Sequence, residues 1–290
     1  MHVILPMPGN EVMASALAER LDAELGVLDW RRFPDAEAYV RIASEVGGKR
    51  VHIVCTLANP DPQVLTLIFT AAAARDCGAE SVHLIAPYLA YMRQDHRFRP
   101  GEAVSATHFA RLLSQSFDSL VTVDPHLHRI ANLGEIFSIP TRVGAAAPLL
   151  GEWIAHNVDA PLVIGPDQES EQWVAEVARR ARAPYVVARK QRVADQRVRV
   201  ELPDLTPWSG RRPVLADDII SSGRTMIEAS RLLAARGMAK PYCLAIHAVF
   251  ASGAFEDLTR VTEAVVTTDT IAHPSNAICV VDTLARSIES

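Results

Sequence analysis

The residue types and spacing best suited to chemistry fall in VLADDIISSGRTM, Val214 to Met226. An apolar run closes on the adjacent pair Asp217 and Asp218, and Ser221, Ser222, Gly223, Arg224 and Thr225 then lead into helix-like sequence. Small and hydroxylated residues at a helix start expose backbone N–H groups at the positive end of the helix dipole, which cradles phosphate. Two carboxylates directly upstream would repel that anion unless they hold something else nearby, such as the vicinal hydroxyls of a sugar. Together the two features describe a sugar phosphate site. The plainer alternative is a strand-to-helix turn in which Ser222 caps the helix and both aspartates are solvated.

Further segments combine charge with loop-like sequence. In APYLAYMRQDHRFRPGEAVSA, Ala86 to Ala106, the cations Arg93, Arg97 and Arg99 cluster around Gln94 and Asp95. Such a cluster is either a polyanion contact or a solvated surface. VDPHLHRI places Asp124 and His126 at a strand end, where an imidazole reaches a divalent ion or a phosphate. His128 has no assigned role, and His52 and His83, on apolar strands, read as ordinary core or surface histidines. FPDAE, Phe33 to Glu37, taken alone is a turn. Lys190 and Arg192 stand in a polar segment without strong periodicity, which reads as a mobile loop carrying two cations. GPDQESEQWVAE, Gly165 to Glu176, follows a strand with Asp167, Glu169 and Glu171.

The elements that must position these loops alternate. Short β-branched or apolar runs near Val3, Val51, Ser81, Ser119, Pro161, Pro213 and Tyr242 read as buried parallel strands. Between them, helix-like stretches are expected over Glu11–Leu25, Gln63–Cys77, Ser105–Phe117, Pro148–Val158, Ser170–Arg182 and Gly223–Arg236. Strand and helix in alternation mean βαβ units of an α/β protein, and ligands of open α/β sheets bind beyond the carboxyl ends of the strands. The pattern runs twice, with SIPTRVGAAAP as the most loop-like joint, so domains are expected over 1–143 and 144–290.

Composition narrows the function. The chain has 290 residues, 49% of them hydrophobic, with 29 Lys plus Arg against 34 Asp plus Glu and a net charge of -5. This is a folded, mildly acidic protein, without the basic stripe of a nucleic-acid binder. The longest apolar stretch, Val64 to Ala74, is too short to span a bilayer. No secretion signal is legible in MHVILPMPGNE, and Cys55, Cys77, Cys243 and Cys279 form no CxxC pair. A cytoplasmic protein with buried free thiols is expected.

Val214–Met226 resembles the phosphoribose-binding loop shared by phosphoribosyltransferases and phosphoribosyl pyrophosphate synthetases. The Arg93–Gln94–Asp95 segment is similar to the ATP-binding segment of the latter, the ribose-phosphate diphosphokinases, and FPDAE resembles their adenine hairpin. The resemblance covers nearly the whole chain in ordered motifs. It implies two tandem phosphoribosyltransferase-like domains with mainly parallel sheets flanked by helices, the first on the ATP side and the second on the ribose 5-phosphate side. It implies transfer of pyrophosphate from ATP to ribose 5-phosphate, Mg²⁺ dependence and a homodimer or higher homo-oligomer. By the same resemblance Phe33 stacks on adenine with Asp35 and Glu37 at its edge, often across a subunit boundary; Arg93, Gln94, Asp95, Arg97 and Arg99 contact ATP; and His126 and Asp167 hold the metal. Asp217 and Asp218 hold the ribose hydroxyls, Ser221 to Thr225 hold the 5-phosphate, and Lys190 and Arg192 act on the transferring phosphates. Gln191 between the two cations resembles the archaeal-type enzymes. The chain departs from the family pattern at Ala36, Glu169, Ser170 and Arg224, where glycine is common. Two rivals share parts of this pattern: a phosphoribosyltransferase, which needs only the Val214–Met226 loop, and a catalytically silent homologue that binds nucleotides and regulates a synthetase.

Overall fold

The computed structural model describes every residue except His128, Gln168, Glu169, Asp195, Gln196 and Ser290, and for 190–200 the backbone path alone. The chain divides into two compact units, Met1–Gly144 together with the segment from Val281, and Ala145–Val280.

The first unit contains β1 (His2–Pro6), α1 (Glu11–Arg20), β2 (Glu24–Leu25), β3 (Leu28–Arg32), β4 (Ala38–Ile42), β5 (Arg50–Val54), α2 (Asp61–Asp76), β6 (Ser81–Ala86), α3 (Ser105–Ser116), β7 (Ser119–Val123) and β8 (Thr141–Gly144). Its six-stranded sheet runs β2-β1-β5-β6-β7-β8, every pair parallel. Val3, Ile4, Leu5, Val51, Ile53, Leu84 and Ile85 are fully buried. That explains why these strands show as mainly apolar runs rather than as alternation, with His52 and His83 as the polar residues inside β5 and β6. β3 and β4 form a separate antiparallel hairpin, with β4 packed on α2.

The second unit contains α4 (Ala147–Asn157), β9 (Pro161–Gly165), α5 (Glu171–Ala181), β10 (Tyr185–Val187), β11 (Arg189–Ala194), β12 (Arg197–Glu201), β13 (Arg212–Ile220), α6 (Arg224–Ala235), β14 (Tyr242–Ala248), α7 (Ala254–Val261), β15 (Ala264–Thr268) and β16 (Asn276–Ile278). A parallel sheet runs β10-β9-β13-β14-β15-β16, and β11 pairs with β12 as an antiparallel hairpin. Leu162, Ile164, Leu215, Leu233, Cys243 and Leu258 lie in one core cluster.

The last helix, α8 (Val281–Glu289), returns to the first unit, where it packs on α1, β7 and β8. Leu284 and Ala285 are fully buried there, and Arg20 Nε binds Asp282 Oδ1 at 2.8 Å. An expected boundary with everything after residue 144 in one domain omits this return. The reason is physical: an amphipathic helix buries its apolar face on whichever sheet lacks cover, and sequence does not say which.

Other differences have equally local causes. The joint around Thr141 contains β8, in which Arg142 and Val143 are exposed and which gives no apolar run. The helix expected to reach Leu25 ends at Arg20, because the chain turns left-handed at Asp22, φ 49°. Cys55 and Cys243 are buried, whereas Cys77 and Cys279 are exposed, since both follow the ends of elements.

Helices α4 and α5 approach closely at Gly151, where an added Cβ would meet the Val177 carbonyl oxygen at 2.6 Å and Arg180 Cβ at 2.4 Å. Alanine is the better helix former by about 1 kcal/mol, but overpacking against backbone costs about 1–3 kcal/mol. Gly151→Ala is therefore expected to lower the stability of the second unit, by up to about 2 kcal/mol. Urea unfolding checks this; an unchanged or raised midpoint refutes the close-approach account.

Candidate active site

In the second unit the chemistry-bearing loop follows β13. Asp217 and Asp218 lie within that strand rather than beyond it, with Asp217 opposite Ala245 and Ile219 opposite His247 on β14. The parallel ladder thereby holds two adjacent carboxylates in a rigid frame, and Asp218 N–H donates to Asp217 Oδ1 at 3.0 Å. The plainer alternative, a cap at Ser222, is not what starts α6. Gly223 takes that position at φ 67°, a left-handed conformation that favours glycine, and no side chain caps the helix. The first-turn amides thus keep their capacity for an anion. Ala251 N–H donates to the Ser221 carbonyl at 3.1 Å, buttressing the loop from the start of the α7 connection. A cavity of about 140 Å³ is lined by Asp217 and by Ser221 to Met226.

Asp217 is held well above the ordinary carboxylate range, first by burial, then by the charges of Asp218 and Asp167. Asp167 follows β9, the neighbour of β13 in the sheet. Its main-chain oxygen accepts from Ser170 Oγ at 2.7 Å, and its Oδ1 from Ser170 N–H at 3.2 Å. Ser170, where the family pattern commonly has glycine, braces this turn, and a Cβ at Gly165 would meet Ser170 Oγ at 2.9 Å. Glu171 is exposed in the first turn of α5, the place where a carboxylate complements the helix dipole. Glu169 lies outside the described residues. Among the described residues no group of three or more His, Cys, Asp or Glu side chains forms a metal site by itself.

Lys190 and Arg192, expected in a mobile loop, lie on β11, opposite Val200 and Val198 of β12. Their side chains lie outside the described residues.

In the first unit, Phe33 sits at the tip of the β3–β4 hairpin and is 38% exposed. Phe33 N–H donates to the Glu37 carbonyl at 2.9 Å, and Asp35 Oδ1 accepts from Glu37 N–H at 3.2 Å. Asp35 and Glu37 are exposed. Ala36 takes φ 71°, which explains why glycine suits this position. Arg32 ties the turn down, donating to the Ala36 carbonyl at 2.7 Å and to the Pro62 carbonyl in the first turn of α2. Arg31 lies 4.4 Å from the Phe33 ring centroid and 4.6 Å from that of Tyr39.

The segment from Arg93 to Glu102 is braced from within. Ser105 Oγ donates to Gln94 Oε1 at 2.8 Å, and Glu102 Oε2 accepts the amides of Phe98 and Arg99 at 2.8 and 3.0 Å. Arg93, Arg97 and Arg99 remain exposed, a cationic rim suited to polyphosphate. Asp95 turns inward to Arg129, its Oδ2 accepting the Arg129 amide at 3.0 Å. His126 is half-buried in the same Asp124–Ile130 connection, which leaves β7 through Asp124 at φ 31°. Arg31, Arg32, Glu102 and Arg129 escaped the sequence reading, because each acts by where it points, and only the Arg129 position beside His126 gave any signal.

Comparison with known proteins agrees with both halves. A family model for the N-terminal domain of ribose phosphate pyrophosphokinase matches residues 2–116, and one for the phosphoribosyl transferase domain matches residues 132–281. The ribose-phosphate pyrophosphokinase of Methanopyrus kandleri is 36% identical over 99% of each chain. The chain belongs to the ribose-phosphate pyrophosphokinase family. The namesake from Methanothermobacter thermautotrophicus is 32% identical over 98% of each chain. The crystal structure of phosphoribosylpyrophosphate synthetase from Mycobacterium smegmatis shares the fold, with a TM-score of 0.87 at 24% identity over 99% of this chain and 97% of that one. Ribose-phosphate pyrophosphokinases are enzymes of nucleotide biosynthesis, and each charged face described above is a candidate binding site within its own unit.

Asp217 gives a pH signature. Its folded-state pKa is raised above the unfolded value near 4, so the native state binds more protons over the interval between them, and stability falls as pH rises through it. Asp217→Asn is expected to raise the melting temperature of the ligand-free enzyme at neutral pH and to flatten its decline across that interval. Scanning calorimetry at a series of pH values checks this. A melting temperature lowered at neutral pH would show that the carboxylate stabilises the fold.

Proposed function

We propose that this chain catalyses the reaction of its family, transfer of the pyrophosphoryl group of ATP to O1 of ribose 5-phosphate, giving phosphoribosyl pyrophosphate and AMP. The observation that carries this reading is the pairing, in one unit, of adjacent aspartates on β13 with an uncapped helix start. That pairing sits within a chain whose other unit matches the pyrophosphokinase N-terminal domain. A phosphoribosyltransferase would need the first feature only.

In this assignment the amides of Gly223 to Thr225 and the Ser221 and Ser222 hydroxyls hold the 5-phosphate, while Asp217 and Asp218 hold and orient the ribose hydroxyls. Arg93, Arg97 and Arg99 bind the ATP phosphates, Gln94 supports them, and Phe33 with Asp35 and Glu37 takes the adenine. The exposed ring of Phe33 suits use across a subunit boundary in a homodimer or larger homo-oligomer. Lys190 and Arg192 stabilise charge on the β and γ phosphates as the anomeric oxygen attacks the β-phosphorus and AMP leaves. Positioning and electrostatics supply most of the acceleration in such transfers.

The donor set fits Mg²⁺, which takes few protein ligands and keeps waters and substrate phosphates in its shell. Asp167, within electrostatic reach of Asp217, offers the hard oxygen it favours, and His126 is assigned to the same role in the first unit. When bound, the cation neutralises the phosphates.

A ³¹P NMR time course with ATP, ribose 5-phosphate and Mg²⁺ tests the reading: signals of phosphoribosyl pyrophosphate and AMP are expected, and both vanish with EDTA. Absence of turnover would favour the silent homologue, and consumption of phosphoribosyl pyrophosphate with a free base would favour the transferase. Lys190→Ala is expected to lower kcat by about 100-fold with ATP binding within a few fold, the pattern of an interaction made mainly in the transition state. Asp218→Asn should raise KM for ribose 5-phosphate and leave that for ATP. Steady-state kinetics checks both, and unchanged turnover removes Lys190 from the mechanism.

A further inference from the structure

Asp95 stands between exposed arginines, yet its own side chain is only 1% exposed. Its Oδ1 lies 2.8 Å from His96 Nδ1 and 3.3 Å from Arg129 Nη1, and its Oδ2 accepts the Arg129 backbone amide at 3.0 Å. A carboxylate has about four lone-pair sites, and these contacts use most of them. Burial raises its pKa, but the His96 contact, the Arg129 amide and the Arg129 charge outweigh that and hold the group below its ordinary value, so it is ionised at neutral pH. The Arg129 guanidinium also lies 5.8 Å from the Phe98 ring centroid, and the His96 ring packs on the same phenyl group at 3.9 Å. Asp95, His96 and Phe98 from the connection after β6 and Arg129 from the connection after β7 thus close one cluster. Each half of it adjoins a residue assigned to ATP or metal: Arg93 and Gln94 on one side, His126 on the other.

We propose that Asp95 and Arg129 form a positioning clasp, in which Asp95 does not contact the nucleotide but fixes the backbone just past His126 against the Arg93–Gln94 segment. The proposal rests on the assignment of ATP and metal to these two connections. A buried carboxylate suits such a role better than a lysine or a hydroxyl, because it accepts a main-chain and a side-chain donor at once, and charge-assisted bonds hold geometry tightly. Arg129 completes it from the other side: removing the Asp95 carboxylate releases both bonds, and removing the Arg129 side chain releases the guanidinium contact while its amide still reaches Asp95.

The full-length enzyme with Asp95→Ala, Arg129→Ala, Arg129→Lys and the double alanine variant tests the clasp. Hydrogen exchange comes first, because it does not depend on activity: the Arg129 amide is expected to lose protection in Asp95→Ala while β6 and β7 keep theirs. Retained protection overturns the proposal. In kinetics Asp95→Ala should lower kcat/KM for ATP about 10-fold and Arg129→Ala about 3-fold, both raising the Mg²⁺ concentration for half-maximal rate, with KM for ribose 5-phosphate unchanged. The double variant should be no worse than Asp95→Ala alone, a non-additivity of about 3-fold, and Arg129→Lys should recover part of the Arg129→Ala loss. Multiplicative losses, or an Arg129→Ala enzyme with parent kinetics beside an Asp95→Ala enzyme that binds ATP poorly, would make Asp95 a direct ligand. Equal falls in melting temperature with unchanged kinetics would make the cluster a support of the fold alone. A parent enzyme that forms no phosphoribosyl pyrophosphate would refute the assigned function, while the exchange measurement would still decide the clasp.

Discussion

Like charges held together by a parallel sheet are the constraint on which the second unit turns. Asp217 and Asp218 are neighbours on β13, and Asp167 follows the adjacent strand β9, close enough for its charge to bear on Asp217. Left to themselves such carboxylates would separate or take up a proton. The ladder between β13 and β14 prevents the first, and the core of Leu162, Leu215, Leu233 and Cys243 supplies the stability that offsets the cost. A site strained in this way has a standing preference for cations and for hydroxyl donors. Directly after it, the uncapped start of α6 prefers anions. A sugar phosphate satisfies both preferences with one molecule, which is why the two features belong together.

The first unit meets the opposite requirement, presenting cations on loops that would otherwise wander. Its connections are tied by short hydrogen bonds of their own: Glu102 to the Phe98 and Arg99 amides, Ser105 to Gln94, Arg32 across the hairpin turn, Asp95 to Arg129. None of these bonds is individually large, about 1 kcal/mol net in most settings. Their value lies in ordering arginines and an aromatic ring before a ligand arrives, so that less conformational entropy is lost on binding. The exposed side chains Arg93, Arg97, Arg99 and Phe33 are the ones left unspent by this bracing.

Much of this organisation was readable in the residues because the physics behind it is local. Parallel strands covered on both faces must be apolar throughout, so Val3, Val51, Ser81 and Pro161 announced them. Adjacent aspartates before Ser221–Thr225 can serve few purposes in a βα connection, so a candidate sugar phosphate loop was legible by type and order alone. The hairpin at Phe33 and the cations at Arg93, Lys190 and Arg192 became candidates only by resemblance, since a turn and a charged loop look alike whether or not they bind anything.

What the tertiary structure decided was direction and destination. The side chain of Asp95 turns inward to Arg129 rather than out with its neighbours, a choice set by a partner 34 residues away. Gly223, and not Ser222, holds the cap position of α6, because the left-handed turn after β13 favours a residue without Cβ. Edge strand β8 escaped notice because exposed strands carry no apolar run, and α8 joined the first unit because α1, β7 and β8 offered the face it had to cover. Sequence determined which residues could do the chemistry and in what order they occur; packing, which depends on surfaces brought together from distant parts of the chain, determined where each of them points.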